Sequence, residues 1–351
     1  MSQSNRRPAR GAARIGVEIG LDRTRLLQPR RPGSEEIRRA VEVPHLDGVV
    51  DANALRSALR GFSGRDAVVA PPPGELELRP VRLPRLEGEE LREAARWEVA
   101  SLLEVDGSDL VAEPIVVSRQ QGDDGRMEML VVAGRSSRLS NMLEPVLESG
   151  LRPVAVEPGF LAAARVFSRR SRRDAEREEV RLVIEVGFDG SWLVVMRGDA
   201  VVFAKSVATG AEDIDREIAR DLGISEDEAA ITRHDAIDDR LDGLVHEAVR
   251  DCVRRSTRPL VEEAAMALRY ATVSARLGRA RAVHVTGPAG RSPGLGQVID
   301  AAFPGIPLEV DHVFDARLDA NPAIGRGGGA PAWTCAYGLS IRPLVPREIA
   351  A

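Results

Sequence analysis

Residues 181–195 read Arg-Leu-Val-Ile-Glu-Val-Gly-Phe-Asp-Gly-Ser-Trp-Leu-Val-Val, and this stretch decides the fold. A run of apolar residues leads to Glu185, and a turn follows in which Gly187 and Gly190 flank Asp189. A second apolar run begins directly after the turn. Two apolar runs joined by a short glycine turn predict a β-hairpin. We expect the carboxylate of Glu185 at the end of the first strand, facing the turn.

The same pattern occurs near the start of the chain, where residues 14–28 read Arg-Ile-Gly-Val-Glu-Ile-Gly-Leu-Asp-Arg-Thr-Arg-Leu-Leu-Gln. When the two stretches are aligned, the identical pairs are Arg14/Arg181, Glu18/Glu185, Gly20/Gly187, Asp22/Asp189 and Leu26/Leu193. A single hairpin of this kind is common, whereas two aligned copies about half a chain apart indicate an internal duplication. We therefore predict two related α/β domains whose turns meet across a cleft, with Glu18 facing Glu185.

Composition excludes several classes of function. The 351 residues are enough for two or three domains, each with its own core. A formal net charge of -5 and an aromatic content of 3% argue against nucleic acid as a partner. The two cysteines and five histidines show no metal-ligand spacing. No apolar run approaches the roughly 20 residues of a membrane span, and no signal-peptide core is present, so we predict a cytoplasmic protein.

Changes in pattern along the chain predict its domain organisation. The predicted parts are a disordered tail at 1–13, a first domain at 14–175, a second at 176–331, and a closing helix and tail at 332–351. A small β-α-β-β-α unit is expected inside the first domain at about 66–140. The charged segment 168–179 lacks apolar periodicity and marks the domain boundary. In the second domain, the helical pattern of 239–277 is expected to break at Pro259.

Further segments carry a family resemblance in their order and spacing. They are 81–91 (VRLPRLEGEEL), Trp97-Glu98, 150–157 (GLRPVAVE), 222–229 (LGISEDEA), Thr286-Gly287, 293–295 (PGL) and 336–342 (AYGLSIR). Together with the two hairpins they resemble the PilM family of type IV pilus assembly, within the actin/Hsp70/sugar-kinase superfamily. The resemblance covers residues 14 to about 342. It implies an actin-like (ribonuclease H-like) duplicated two-domain fold with an inserted subdomain.

The resemblance also implies a nucleotide site between the two domains. Backbone N–H groups of the glycine turns would bind the phosphates of ATP, and the strand-end acids would hold Mg²⁺ and the attacking water. The implied nucleotide-binding residues are Gly20, Thr24, Arg25, Gly187, Asp189, Gly190, Gly210 and Gly287. The implied metal ligands are Glu18 and Glu185.

Several positions depart from the family pattern and argue against ATP and Mg²⁺ as working cofactors. The family carries Asp at both strand ends, and the extra methylene of Glu moves a carboxylate by about 1 Å, which costs on the order of 10²-fold in a positioned reaction. Asp22 would repel a phosphate, and Pro288 lacks the N–H of a family glycine. Ala230 and Met266 replace a usual Glu and Arg. We expect weak nucleotide binding and loss of hydrolysis, and we assign no catalytic residue.

The leading functional hypothesis is an actin-like scaffold in the inner-membrane platform of a type IV pilus or related type II secretion machine. The resemblance implies that it binds the cytoplasmic N-terminal tail of a PilN-like bitopic membrane protein, lies peripheral to the inner membrane through that partner, and can also self-associate. We expect the tail in a groove between the first domain's core and the insert.

One alternative is an active ATPase or small-molecule kinase, which needs a strand-end Asp. Another is an FtsA-like cell-division protein, which needs a C-terminal membrane helix that residues 343–351 are too short to form.

Overall fold

The computed structural model describes residues 13–46, 48–121, 126–169, 176, 178–310 and 329–343. Residues 1–12 of the predicted tail, most of the predicted linker at 168–179 and the residues after 343 lie outside this part of the chain. The strands are β1 (Ile15–Ile19), β2 (Arg23–Pro29), β3 (Ile37–Pro44), β4 (Asp66–Ala70), β5 (Glu77–Leu83), β6 (Leu110–Gln121), β7 (Met127–Arg135), β8 (Arg152–Val156), β9 (Val180–Val186), β10 (Ser191–Arg197), β11 (Ala200–Val207), β12 (Ala280–Thr286) and β13 (Leu308–Val310). The helices are α1 (Ala52–Ala58), α2 (Gly88–Leu103), α3 (Ser136–Glu148), α4 (Gly159–Ser168), α5 (Ala211–Leu222), α6 (Glu226–Ile237), α7 (Gly243–Ser274), α8 (Leu295–Ala302) and α9 (Thr334–Ser340).

Two five-stranded sheets share one topology. The first has the strand order β3-β2-β1-β4-β8, and the second has the order β11-β10-β9-β12-β13. In each sheet three consecutive strands, β1 to β3 or β9 to β11, pair antiparallel. The other two strands run parallel to the central strand, which is β1 in the first sheet and β9 in the second. The two predicted hairpins are β1–β2 and β9–β10, which occupy equivalent places. This equivalence supports the internal duplication that the repeated hairpin predicts.

Helices cover the sheets and give each domain its own core. In the first domain, α1 and α3 pack on the sheet through residues such as Leu55 and Val146. In the second domain, α5, α7 and α8 pack on β9, β10 and β12 around residues such as Leu182 and Ile184. The central strands β1 and β9 are therefore buried along nearly their whole length, as expected for strands covered on both faces.

Helix α7 runs without interruption through Pro259, so the predicted break at that residue is wrong. A proline inside a helix removes one backbone hydrogen bond and costs about 3 kcal/mol. Here the residues that follow, Leu260, Val261 and Ala264, are fully or almost fully buried in the core of the second domain. The packing of this buried face outweighs the local cost of the proline.

The inserted unit is a three-stranded antiparallel sheet in the order β5-β7-β6, spanning 77–135. Helix α2 covers one face of this sheet, with Ala95 and Val99 packed on Met129 and Val131. The unit is narrower than the predicted range of about 66–140. The difference arises because β4 pairs with β1 in the first sheet, and because α3 packs in the first domain's core.

Helix α9 lies close against the first sheet and against α4, which itself packs on the second sheet. A side chain at Gly16 would overlap the carbonyl group of Ala336, and one at Gly338 would overlap that of Ala162. Only glycine allows the backbones to approach this closely. Helices α9 and α4 thus link the first sheet to the second, next to the site described below.

Candidate functional site

The ends of β1 and β9 meet at a small cavity between the two domains. Its volume is about 50 Å³, and its lining includes both strand-end acids, Glu18 and Glu185. Of the other implied binding residues, the lining includes Gly20, Arg25, Gly187, Asp189 and Gly190. Cavities that bind small molecules usually measure about 300–1,000 Å³. The space between the strand ends is thus far smaller than a nucleotide pocket.

A row of three charged side chains crosses the first sheet beside this cavity. Glu18 on β1 lies opposite Arg25 on β2, and Arg25 lies opposite Glu42 on β3. The guanidinium of Arg25 donates from Nη1 to Glu18 Oε1 at 3.3 Å and from Nε to Glu42 Oε1 at 2.8 Å. The side chain of Arg25 is only 7% exposed. The row therefore places a buried cation directly between two carboxylates.

Within the described ranges, Glu185 has no such cation beside it. Its residue lies opposite Trp192 on β10 and Thr286 on β12, and both are buried and uncharged. Burial, followed by the nearby charge of Glu18, raises the pKa of Glu185 to about 8, with Arg25 opposing the shift. Among the described residues, its buried Oε2 atom has no hydrogen-bond partner. Glu185 is therefore a mainly neutral carboxylic acid near pH 7.

Burial also raises the pKa of Glu18, although Arg25 acts in the opposite direction. Like Glu185, Glu18 has one buried oxygen, Oε2, with no hydrogen-bond partner in the described part of the chain. The two strand-end acids therefore differ in one respect that matters for charge. Glu18 keeps a guanidinium within hydrogen-bonding distance, whereas the part of the chain that the structure describes places none beside Glu185.

Acidic residues also lie at the turns where the resemblance implies phosphate binding. The pKa of Asp189 is raised, mainly by burial and then by the negative charges of Asp22 and Glu212, against the effect of a backbone hydrogen bond. Asp22 is paired with Arg23, whose Nε donates to Asp22 Oδ2 at 2.6 Å. The electrostatic field at the turns thus includes three carboxylates.

The backbone N–H groups of four implied phosphate-binding glycines already form hydrogen bonds with oxygen atoms of the protein itself. Gly20 N–H donates to the carbonyl of Arg23 at 2.9 Å, and Gly187 N–H to that of Gly190 at 3.0 Å. Gly210 N–H donates to the Asp213 carboxylate at 3.0 Å. Gly287 N–H donates to the carbonyl of Pro331 at 3.1 Å. The start of α5 is bonded in the same way, because Ala211 and Glu212 donate to the carbonyls of the second turn.

Three implied residues do not line the cavity. Thr24 is the neighbour of Arg25 on β2 and points to the opposite face, where its hydroxyl lies 2.8 Å from His45 Nε2. Gly210 packs behind the second turn, and a side chain there would overlap the carbonyl of Phe188. Gly287 has a φ of 90° and lies close to Val186, while the following Pro288 is part of the lining.

Sequence reasoning missed Glu42 and Trp192, which complete the surroundings of the strand-end acids. Glu42 has no counterpart in the repeated hairpin, and only the pairing of β2 with β3 brings it to Arg25. Trp192 does have a signal, because it aligns with Arg25 when Glu185 is aligned with Glu18. Cys335 is also at the cavity, and its thiol pKa is raised well above its ordinary value by burial and nearby carboxylates.

A second, larger space lies between the insert and the second domain. This groove of about 540 Å³ is bordered by β5 and β7 on one side and by β11 and α7 on the other. Its apolar lining includes Leu78, Met129, Leu130, Phe203, Met266 and Tyr270. Strands β5 and β11 are edge strands of their sheets. We call this space the insert groove.

No group of three or more His, Cys, Asp or Glu side chains in the described ranges is arranged to hold a metal ion. None of the described helices combines the length and apolar character needed to cross a membrane.

Comparison with solved structures confirms the predicted actin-like α/β fold. A structure described as the PilM-PilN type IV pilus biogenesis complex superimposes with a TM-score of 0.76 at 20% identity, covering 94% of this chain and 99% of that one. The ethanolamine utilization protein EutJ from Carboxydothermus hydrogenoformans matches with a TM-score of 0.54 at 14% identity, covering 95% and 91%. No curated protein sequence matches the chain.

A scan against protein-family models gives one assignment that agrees with the motifs and the fold. The model described as type IV pilus assembly protein PilM matches residues 44–342, which is most of the chain and includes the insert, the second domain and α9. This chain therefore belongs to the PilM family of type IV pilus assembly proteins.

Proposed function

We propose that this protein is a scaffold of the type IV pilus inner-membrane platform that binds the tail of a PilN-like membrane protein and does not depend on ATP. The observation that carries the proposal is the match along nearly the whole chain to a structure described as a PilM-PilN complex. In this proposal the protein is cytoplasmic and lies at the inner membrane through its partner. Self-association along the same platform is compatible with it.

The strand-end site supports the absence of a nucleotide requirement. The residues as arranged do not fit Mg-ATP, because the cavity between the domains is about 50 Å³. The glycine N–H groups that would bind phosphate are donated within the protein. Carboxylates at the turns add repulsion toward a phosphate. Fold alone does not carry activity, so the actin-like architecture is no argument for hydrolysis here.

The insert groove supports an extended peptide as the partner's binding element. It lies between two edge strands, β5 and β11, and a peptide that adds to a sheet edge gains main-chain hydrogen bonds while its side chains enter apolar pockets. The sequence predicted the groove on the border between the insert and the first domain's core. The groove of about 540 Å³ lies on the border with the second domain.

Two apolar side chains of α7 that line the groove are about half exposed. Met266 is 46% exposed and Tyr270 is 53% exposed, and the Tyr270 ring lies 5.4 Å from that of Phe203. Three of the charged residues in the lining are already paired, since Lys205 bonds Glu263 at 2.5 Å and Arg79 bonds Glu77 at 2.8 Å. We therefore expect apolar contacts and backbone pairing, more than charge, to determine which peptide binds.

The test is binding of a fluorescent synthetic peptide that carries the cytoplasmic tail of the PilN-like protein encoded beside this one. We expect Met266→Glu and Tyr270→Glu each to weaken binding by about tenfold or more, since each places a charge in an apolar pocket. Leu244→Glu is the matched control, because Leu244 lies on the same helix, is 87% exposed and is not part of the groove. Binding to that variant should equal that of the unmodified protein, with or without Mg-ATP.

Three outcomes would count against the proposal. If the unmodified protein does not bind the tail, the scaffold role with this partner is wrong. Tight binding that appears only with Mg-ATP would contradict independence from nucleotide. Full binding by both groove variants would exclude the insert groove and favour the border between the insert and the first domain.

A further inference from the structure

The charged row of the first sheet places a guanidinium beside one of the two strand-end acids. Glu18, Arg25 and Glu42 are register neighbours on β1, β2 and β3, so their side chains project from the same face of the sheet. The central guanidinium contacts both carboxylates and is also part of the cavity lining. A positive charge is thus already present where the strand-end acids would otherwise need one.

Burial makes this charge arrangement energetically important. Removing one partner from a buried ion pair leaves an uncompensated charge, which is far more costly than losing an exposed pair. Arg25 is 5% exposed as a residue, and Glu185 across the cavity is 7% exposed. The side chain of Glu18 is 18% exposed, so solvent reaches its carboxylate only in part, and most of its counter-charge has to come from the guanidinium beside it or from a bound cation.

We propose that Arg25 is the resident counter-cation of this cleft, taking the charge role of a divalent metal ion beside Glu18 and so stabilising the folded chain without a nucleotide. The inference rests on the proposed absence of a working nucleotide site, and it names Arg25 as the residue that takes the place of the metal ion. It follows that Mg²⁺ has no favourable place beside Glu18 while Arg25 is present. It also follows that the same carboxylates become a cation site when Arg25 is removed.

The closest structural comparison within the molecule is Arg23, which serves as a control. Arg23 is on the same strand, faces the same side and also bonds Glu42, with Nη1 to Oε2 at 3.1 Å. Its side chain is 31% exposed, and it is not part of the cavity lining. If any arginine that pairs with Glu42 sufficed, the two arginines would behave alike. If the buried position beside Glu18 matters, only Arg25 is essential.

The experiment measures thermal unfolding of the full chain with EDTA or with 10 mM MgCl₂, roughly the concentration at which a weak carboxylate site would fill, at constant ionic strength. The variants are Arg25→Met, Arg23→Met and the double variant Glu18→Gln/Arg25→Met. We expect no Mg²⁺ effect on the unmodified protein. Arg25→Met should melt about 5 to 10 °C lower in EDTA and recover part of that loss with Mg²⁺. Arg23→Met should change little and should not respond to Mg²⁺.

The double variant separates charge compensation from packing. If Arg25 balances Glu18, neutralising Glu18 in the Arg25→Met background should restore at least half of the lost melting temperature. If Arg25→Met alone fails to fold, the double variant should still fold. A double variant no more stable than Arg25→Met, or one that fails to fold, would overturn the proposal. So would stabilisation of the unmodified protein by Mg²⁺, or an Arg25→Met variant that ignores it. These outcomes leave peptide binding at the insert groove untouched, so the two proposals fail separately.

Discussion

The first and second domains place the same acid at the same strand end but surround it differently. In the first domain the row across the antiparallel strands reads Glu18, Arg25 and Glu42. In the second domain the corresponding row begins with Glu185 and Trp192 and ends at Ser206. Duplication preserved the strand geometry, whereas the side chain on the second strand changed from a cation to an indole. One domain therefore balances its buried carboxylate with its own guanidinium, and the other leaves the carboxylate to take up a proton.

The different neighbours explain why the two acids are not interchangeable. Trp192 is 3% exposed and packs with Phe160, their ring centroids 5.1 Å apart, at the interface between α4 and the second sheet. An indole in this place stabilises by apolar contact and offers no charge to Glu185. Glu185 thus has apolar side chains beside it on the second sheet, whereas Glu18 has charged ones beside it on the first.

The largest effect should come from neutralising the acid that lacks a cation. The pKa of Glu185 is about 8 in the folded protein and 4.5 as the ordinary value. Between those pH values the unfolded chain releases a proton that the folded protein keeps, so the free energy of unfolding falls by up to about 1.4 kcal/mol per pH unit. Glu185→Gln removes this cost. Its stability advantage over the unmodified protein should be near zero below pH 4.5, grow with pH, and become constant above pH 8.

Urea unfolding at a series of pH values measures this advantage. Groups that titrate in both proteins, including Asp189 and His234, cancel in the difference. The companion variant is Glu18→Gln, which should gain less at every pH because it also loses the hydrogen bond from Arg25. A Glu185→Gln advantage that does not change with pH, or one matched by Glu18→Gln, would break the comparison between the two acids.

A smaller effect should separate the two glycine turns. A Cβ on Gly187 would overlap the carbonyl oxygen of Gly190, whereas a Cβ on Gly20 would lie 3.1 Å from the carbonyl oxygen of Arg23. Overlap with backbone cannot be relieved by a side-chain rotation, so Gly187→Ala should lower the free energy of unfolding by about 1–3 kcal/mol. Gly20→Ala should cost less than about 1 kcal/mol. Equal costs in urea unfolding would show that the second turn is no more constrained than the first.

The fold could be predicted from the sequence because its signals are local and repeated. Each strand end carries an acid and a glycine turn within a few residues, and the repeat of this pattern predicts the paired sheets without any knowledge of long-range contacts. The insert's hairpin and α2 also carry clear periodicity. The prediction at Pro259 was wrong because a local rule about proline says nothing of the buried face that packs on the second sheet.

The site could be predicted only in part, for a related reason. That Glu18 and Glu185 lie at one cavity follows from the repeat, but the pairing of Arg25 with Glu42 depends on the register of β2 and β3. The spacing of residues along the sequence does not reveal that register. The small size of the cavity and the internal use of the glycine N–H groups likewise depend on how the domains and turns pack. The insert groove lies between segments far apart in the chain, so no single stretch predicts its position.

The most direct test of the central claim is calorimetric titration of the unmodified protein with Mg-ATP at pH 7, together with a phosphate-release assay. In our proposal, charge compensation by Arg25 and the small size of the cavity make a nucleotide unnecessary. We therefore expect no saturable heat up to roughly millimolar Mg-ATP, where a binding free energy would be about −4 kcal/mol, and no phosphate release. Low-micromolar binding, or phosphate release that Glu185→Ala abolishes, would contradict the account.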